Sequence, residues 1–192
     1  MKKNWLIAGA FGLVAAIVYI CSTAGYAFPG ESAHLIAIWR GLDAVSDKPY
    51  PFMAVFAKAF GAGNALAPVC GIVAVVTFFL LVCAFVSWRV RGEGIEHQKG
   101  TISVIAATVA TMVFLLTPAV RSAATHLEPR LFDFTWALLC LAAALPFFGG
   151  FRRCSFAFAP LLGVMVAFGM CDSAVFLAFL PFYLALVFGV AN

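Results

Sequence analysis

The feature that most constrains this chain is a succession of apolar runs, each about twenty residues long and nearly free of charge. They fall at residues 5–27, 64–88, 101–120 and 131–150. A helix needs about 20 residues to cross a hydrocarbon layer about 30 Å thick, so each run predicts a transmembrane helix. A further stretch, 154–192, has twice that length and one charge, Asp172. It reads as two shorter helices, 154–170 and 174–191, joined by a tight turn at Cys171, Asp172 and Ser173. With the first helix counted from the amino terminus (1–27), the chain reads as one all-α polytopic membrane domain, 1–192, of about six transmembrane helices. Composition agrees: 10% of the 192 residues are charged, against about a quarter in soluble domains, and mean hydropathy is +1.07.

The first run also fits a secretory signal, because Lys2 and Lys3 precede the apolar stretch and the small-residue sequence STAGYA follows it. Its apolar part runs past the roughly 7 to 15 residues of a signal core, and more spans follow, so an uncleaved first helix is expected. With the amino terminus cytoplasmic, six spans put Lys2, Lys3, Arg89, Arg91, Lys99, Arg152 and Arg153 inside, and both termini with them. Arg40, Lys48, Lys58, Arg121 and Arg130 fall outside. The loops RVRGEGIEHQKG and FRR carry the basic excess that the positive-inside rule expects. Six of the eight acids (Glu31, Asp43, Asp47, Glu128, Asp133, Asp172) then lie at or near the outer side. The expectation is an integral protein of the plasma (inner) membrane whose first loop is extracytoplasmic.

That loop, residues 28–61, is unusually rich in function-bearing groups. Pro29 and Gly30 stop the first helix, and Glu31 or Ser32 can open a second by accepting from its free N–H groups. Leu35, Ile38, Trp39, Leu42 and Val45 then recur at helical spacing, as in an amphipathic helix lying along a membrane surface. At about 100° per residue, Glu31 lines up with Leu35, Ile38 and Leu42, with His34 alongside. A carboxyl beside apolar surface has its charged form disfavoured, which suits a general base; a plain capping role for Glu31 stands beside that reading. His34, one turn on, could share a proton or a metal with Glu31, or simply pack at the interface. Two prolines in DKPYPF break this helix, and PFMAVFAKAF puts Phe52, Phe56 and Phe60 on one stripe with Lys58 off it. The loop thus predicts two interfacial helices and a proline turn.

The six cysteines (21, 70, 83, 140, 154 and 171) are scattered through apolar segments without paired spacing and read as small buried hydrophobes. Neither a phosphate-binding glycine loop nor a basic aromatic patch occurs, so nucleic acid is not an expected partner.

The segments PGES, KPYPFMAVFAKAF, LLTPAVRSAATHLEPRLFDFTWALLCLAA and LLGVMVAFGMCDSAVFLAFLPFYLAL together resemble the amino-terminal module of GT-C glycosyltransferases, in the branch similar to protein O-mannosyltransferases. In that family an acid in the first outer loop precedes a proline-rich entry to the next span. The resemblance covers most of the chain by pattern. It implies transfer of a sugar, with inversion, from a polyprenyl-phosphate-linked donor to an extracytoplasmic acceptor, and it gives Glu31 the role of general base. Arg121 and Arg130, at the ends of the third and fourth spans, then stand where a lipid phosphate would lie; snorkelling is their alternative. His126 and Glu128 could shape the acceptor side, hold a metal or stay solvated. Asp172 is either an outer turn residue or a second acid facing the cavity of Glu31. The family's Asp-Glu pair is not reproduced, since Gly30 precedes Glu31. Some branches use a divalent metal, which these residues do not place. Family members usually have more spans and often a soluble carboxy-terminal domain, so the resemblance implies a module dependent on a larger protein partner or on such a domain. Two other classes remain: a noncatalytic membrane scaffold or assembly subunit with the same fold, and a small transporter, which should carry polar groups at mid-membrane.

Overall fold

The computed structural model describes residues 2–23, 31–42, 50–60, 65–89, 99–148, 152–173, 176, 177 and 181. Among them are eight helices: α1 (Lys2–Ser22), α2 (Glu31–Trp39), α3 (Pro51–Ala59), α4 (Leu66–Arg89), α5 (Lys99–Leu116), α6 (Pro118–Thr125), α7 (Pro129–Phe148) and α8 (Arg152–Asp172). The described residues are all-helical in their regular structure. Asn4–Ser22 and Leu66–Trp88 are each long and apolar enough to cross a membrane, and α5 with α6 makes a third candidate span bent by 60°. The chain is therefore an α-helical protein suited to a membrane. The last expected helix, 174–191, falls almost wholly outside the described residues.

Apolar surface alone does not drive helices together in lipid, where close packing of small residues takes over. Helix α1 shows this directly. Ala8, Gly12, Ala15 and Tyr19 recur four, three and four residues apart and are buried, whereas Trp5, Leu6, Leu13, Val14, Ile17 and Ile20 face outward. A Cβ at Gly12 would meet Val76 Cγ2 of α4 at 2.9 Å, so glycine permits the approach of the two backbones. Gly71 does the same at a three-helix junction: a Cβ there would lie 2.7 Å from Ala124 Cβ of α6 and 2.9 Å from the Tyr19 ring of α1. Central helix α4 packs against α1, α5, α6 and α7, and α7 packs against α8.

The run 101–120 does not continue as one straight helix. Pro118 disfavours the α conformation at the residue before it; Thr117 is accordingly extended (φ −60°, ψ 125°), and α5 ends at Leu116. Helix α6 then turns away with Ala123, Ala124 and Thr125 buried. Helix α1 likewise ends at Ser22, short of residue 27.

Contacts between distant segments show how the ends are arranged. Tyr19, near the end of α1, reaches toward the Leu115 carbonyl near the end of α5 at 3.4 Å. The Thr135 hydroxyl of α7 donates to the Leu131 carbonyl at 2.7 Å and lies 3.3 Å from the Cys70 carbonyl of α4. At the opposite end, the Cys83 thiol approaches the Ser103 carbonyl. The chain runs up and down, so one end of the bundle collects the close of α1, α5 and α8, the start of α4 and α7, and α3 and α6.

Candidate functional site

That end carries the groups singled out in the sequence. Helix α2 begins at Glu31, as expected, and buries Leu35, Ile36, Ile38 and Trp39. The Glu31 side chain lies outside the described residues. The α2 helix ends at Trp39, and Leu42, which the amphipathic pattern counted with the apolar face, is exposed. His34 is exposed on α2, and Arg40 is exposed just beyond it.

Helix α3 shows why Asp172 matters. Pro51 occupies the first helical position, where its missing N–H costs nothing, but the residue at the N-cap, Tyr50, adopts the left-handed region (φ 53°) and gives no side-chain cap. The N–H groups of Phe52 and Met53 therefore lack the local acceptor that Ser, Asp or Asn would offer. Asp172, at the last turn of α8, supplies it: one carboxylate oxygen accepts from Phe52 N–H at 2.7 Å and the other from Met53 N–H at 2.6 Å. Negative charge is favoured at this end of a helix by its dipole. Burial raises the pKa of Asp172, and the two N–H groups pull it back in part. Of the two sequence readings, an outer turn residue and a second acid, the contact adds a third role: a cap delivered from 120 residues away. Asp133 of α7 stands beside Asp172 and takes a side-chain hydrogen bond from Ser173.

The same contact is sealed by aromatic rings. Phe52 stacks on Phe168 of α8 at 5.1 Å between centroids and meets Trp136 of α7 edge-on at 4.7 Å and Phe132 at 5.7 Å. Each such pair is worth about 0.5 to 1.5 kcal/mol beyond area burial. Trp136 is itself held by donating its Nε1–H to the Met165 carbonyl at 2.7 Å. The expected stripe is thus realised at Phe52 and Phe56, with Lys58 exposed and Phe60 only partly covered.

Arg121 lies elsewhere at this end. It lines a groove of about 390 Å³ with Ser22, Leu116, Pro118, Ser122, Thr125 and His126, between the end of α1 and α6. His126 Nδ1 sits 2.8 Å from the Ser122 carbonyl; a carbonyl only accepts, so the proton is on Nδ1. The Thr125 hydroxyl donates its one proton back to the Ser122 carbonyl at 2.9 Å, with the Arg121 carbonyl 3.1 Å away. The groove brings the Arg121 guanidinium together with the Ser22 and Ser122 hydroxyls, a set suited to an anionic group, while the Thr125 and His126 Nδ1 protons are taken by backbone carbonyls. Arg130 is exposed in the first turn of α7, and Glu128 precedes that helix. The structure therefore puts the two arginines and Asp172 at one end of the bundle without joining them in one cavity: Asp172 belongs to the α3–α8 contact, and Arg121 to the α1–α6 groove. Among the described residues, no cluster of three or more His, Cys, Asp or Glu could hold a metal ion.

Sequence reasoning missed two features. The pairing of Asp172 with the start of α3 leaves no local signature, although a proline-led helix with tyrosine at its N-cap position hints that a cap must come from elsewhere. Asp133 was discoverable as an acid within an otherwise apolar run. Comparison with protein families, with characterised proteins and with solved structures gives no match for this chain.

Proposed function

We propose that this chain is a membrane-embedded, GT-C-like glycosyltransferase module. In this reading it crosses the plasma (inner) membrane about six times with both termini cytoplasmic, and α2 and α3 lie at the outer interface. The sugar comes from a polyprenyl-phosphate donor and goes to an extracytoplasmic acceptor. Glu31 takes the proton from the acceptor hydroxyl as its oxygen bonds to the anomeric carbon from the face opposite the phosphate. The bond from that carbon to the phosphate oxygen breaks, and the lipid phosphate departs. Arg121 holds its charge; Arg130, His34 and Asp172 belong to the same outer surface.

One observation carries this reading more than any other: a groove bearing Arg121 and His126 opens beside the close of α1, at the same end of the bundle as the acids Asp133 and Asp172. A transporter would need such groups midway along its helices. A phosphate on a lipid lies at a membrane surface, and a guanidinium binds it with charge and directed donors. A second reading, a noncatalytic scaffold or assembly subunit, draws on Asp172, whose two oxygens both serve the fold.

The test is turnover by purified protein in liposomes supplied with polyprenyl-phosphate donors carrying different labelled sugars, together with a lipid extract and a peptide mixture as acceptors. The proposal expects at least one donor to lose its sugar to an acceptor, and Arg121→Ala to raise KM roughly tenfold or more, the loss of one charge-assisted contact. Silence toward every donor, with folded protein confirmed, favours the scaffold.

A further inference from the structure

We propose that Asp172 is a positioning residue that fixes the first-loop helix α3 to α7 and α8, so that the last turn of α8 sets where the loop stands. Capping alone could have been achieved locally. An Asp, Asn or Ser at position 50 with the usual extended N-cap backbone would meet the same N–H groups, yet the chain has Tyr50 there in a left-handed conformation and draws its acceptor from the far end of α8.

The geometry around the carboxylate makes this a tether. Both oxygens are engaged, each by a different N–H, so the plane of the carboxylate fixes the axis of α3 as well as its distance. Behind it, Ser173 ties to Asp133, which connects the tether to α7. Directly below, the Phe52 ring is enclosed by Phe168, Trp136 and Phe132. Met53, Ala54 and Ala57 are buried on the same side of α3. Aromatic contact gives α3 its adhesion, and the carboxylate gives it its register. Since α3 touches α2, the position of the helix that opens with Glu31 follows from the same tether. That last consequence rests on the catalytic reading of the first loop; the tether itself does not.

The experiment separates capping from positioning and needs no substrate. Met53→Cys is placed on the buried face of α3, with Ala57→Cys as a second reporter. Maleimide labelling is followed by mass spectrometry of the peptide carrying the new cysteine, in protein reconstituted in lipid. Amide exchange of α3, α4 and α5 is measured in parallel. Asp172→Ala is expected to speed labelling on the order of tenfold or more, and Asp172→Asn, which keeps one acceptor, by less. Tyr50→Asn, which can leave the left-handed region for the extended backbone of an N-cap and cap locally, is then added to Asp172→Ala. The proposal expects amide protection of α3 to return while labelling stays fast. It is overturned if Asp172→Ala leaves labelling unchanged, because the rings alone would then hold α3. Slow labelling restored by Tyr50→Asn also overturns it, since capping would then be the whole role. So does loss of protection in α4 and α5 together with α3. A protein that meets these expectations but turns over no donor refutes the proposed reaction and leaves the tether standing.

Discussion

Replacing Gly71 with alanine tests the packing that carries the groove of Arg121. Gly71 sits where α4 meets both α1 and α6, and a methyl group there would lie 2.7 Å from Ala124 Cβ and 2.9 Å from Tyr19 Cδ2 and Cε2. Carbon atoms in contact rest about 3.5 to 4.0 Å apart, so α6 must retreat by about 1 Å, or the ring must move. Neither response is easy. Ala124 has no rotamer to change, and Tyr19 is fully buried. Forcing one methyl group into a packed site costs about 1 to 3 kcal/mol, and the same displacement moves Arg121, Ser122 and Thr125, three lining residues of the groove on α6. The measurement is thermal or denaturant unfolding of wild type, Gly71→Ala, Ala124→Gly and the double variant in one detergent. Gly71→Ala is expected to destabilise by about 1 to 3 kcal/mol. The double variant should recover part of that loss beyond additivity, by about 0.5 kcal/mol or more, since only one of the two clashes is relieved. A Gly71→Ala protein within about 0.5 kcal/mol of wild type, or strict additivity, would refute the close approach of α4 to α6.

Gly169→Ala is expected to cost about 1 to 3 kcal/mol as well, because its Cβ would fall 2.5 to 2.7 Å from the ring of Phe176, which is buried; Phe176→Ala in the same background should relieve the clash, and unfolding of both variants checks it. Asp172 gives stability a pH dependence of defined sign. Its folded pKa is raised, chiefly by burial, so the folded state holds the proton more tightly than the unfolded state does. The part of the stability that depends on protonation of this group is complete below the unfolded value near 3.8 and is lost as pH rises through the folded value, while the two N–H contacts to the carboxylate remain. Melting temperatures from about pH 4 to about pH 7 should therefore fall for wild type relative to Asp172→Asn, and parallel curves would contradict the assignment.

Much of the architecture was legible because its causes are local. Apolar runs of spanning length announced α1 and α4, Glu31 marked the start of α2, and the spacing of Phe52 and Phe56 marked the docked face of α3. The bend after α5 was also written locally, in Thr117 and Pro118, but hydropathy averaged over a window sees only a continuous apolar run. What could not be read were the long-range matches. Asp172 looks like a turn residue until α8 and α3 are side by side, and nothing in the local sequence of either helix names the other. The orphaned cap position at Tyr50 says that an acceptor is needed without saying whose. Arg121 and His126 were visible as polar groups after a span, whereas their shared groove depends on α6 folding back toward the end of α1. Small residues on α1 do not stand out from the rest of an apolar run; their spacing against Gly71 and Val76 is what sets helix separation.

In the proposed reaction Glu31 performs chemistry on a lipid-linked donor, and one substitution addresses it. Glu31→Gln preserves size and removes the proposed base: the protein should insert, fold and melt like wild type and still bind donor, while sugar transfer from the polyprenyl-phosphate donor falls about a hundredfold or more. Transfer at the wild-type rate by well-folded Glu31→Gln protein would rule out Glu31 as the base.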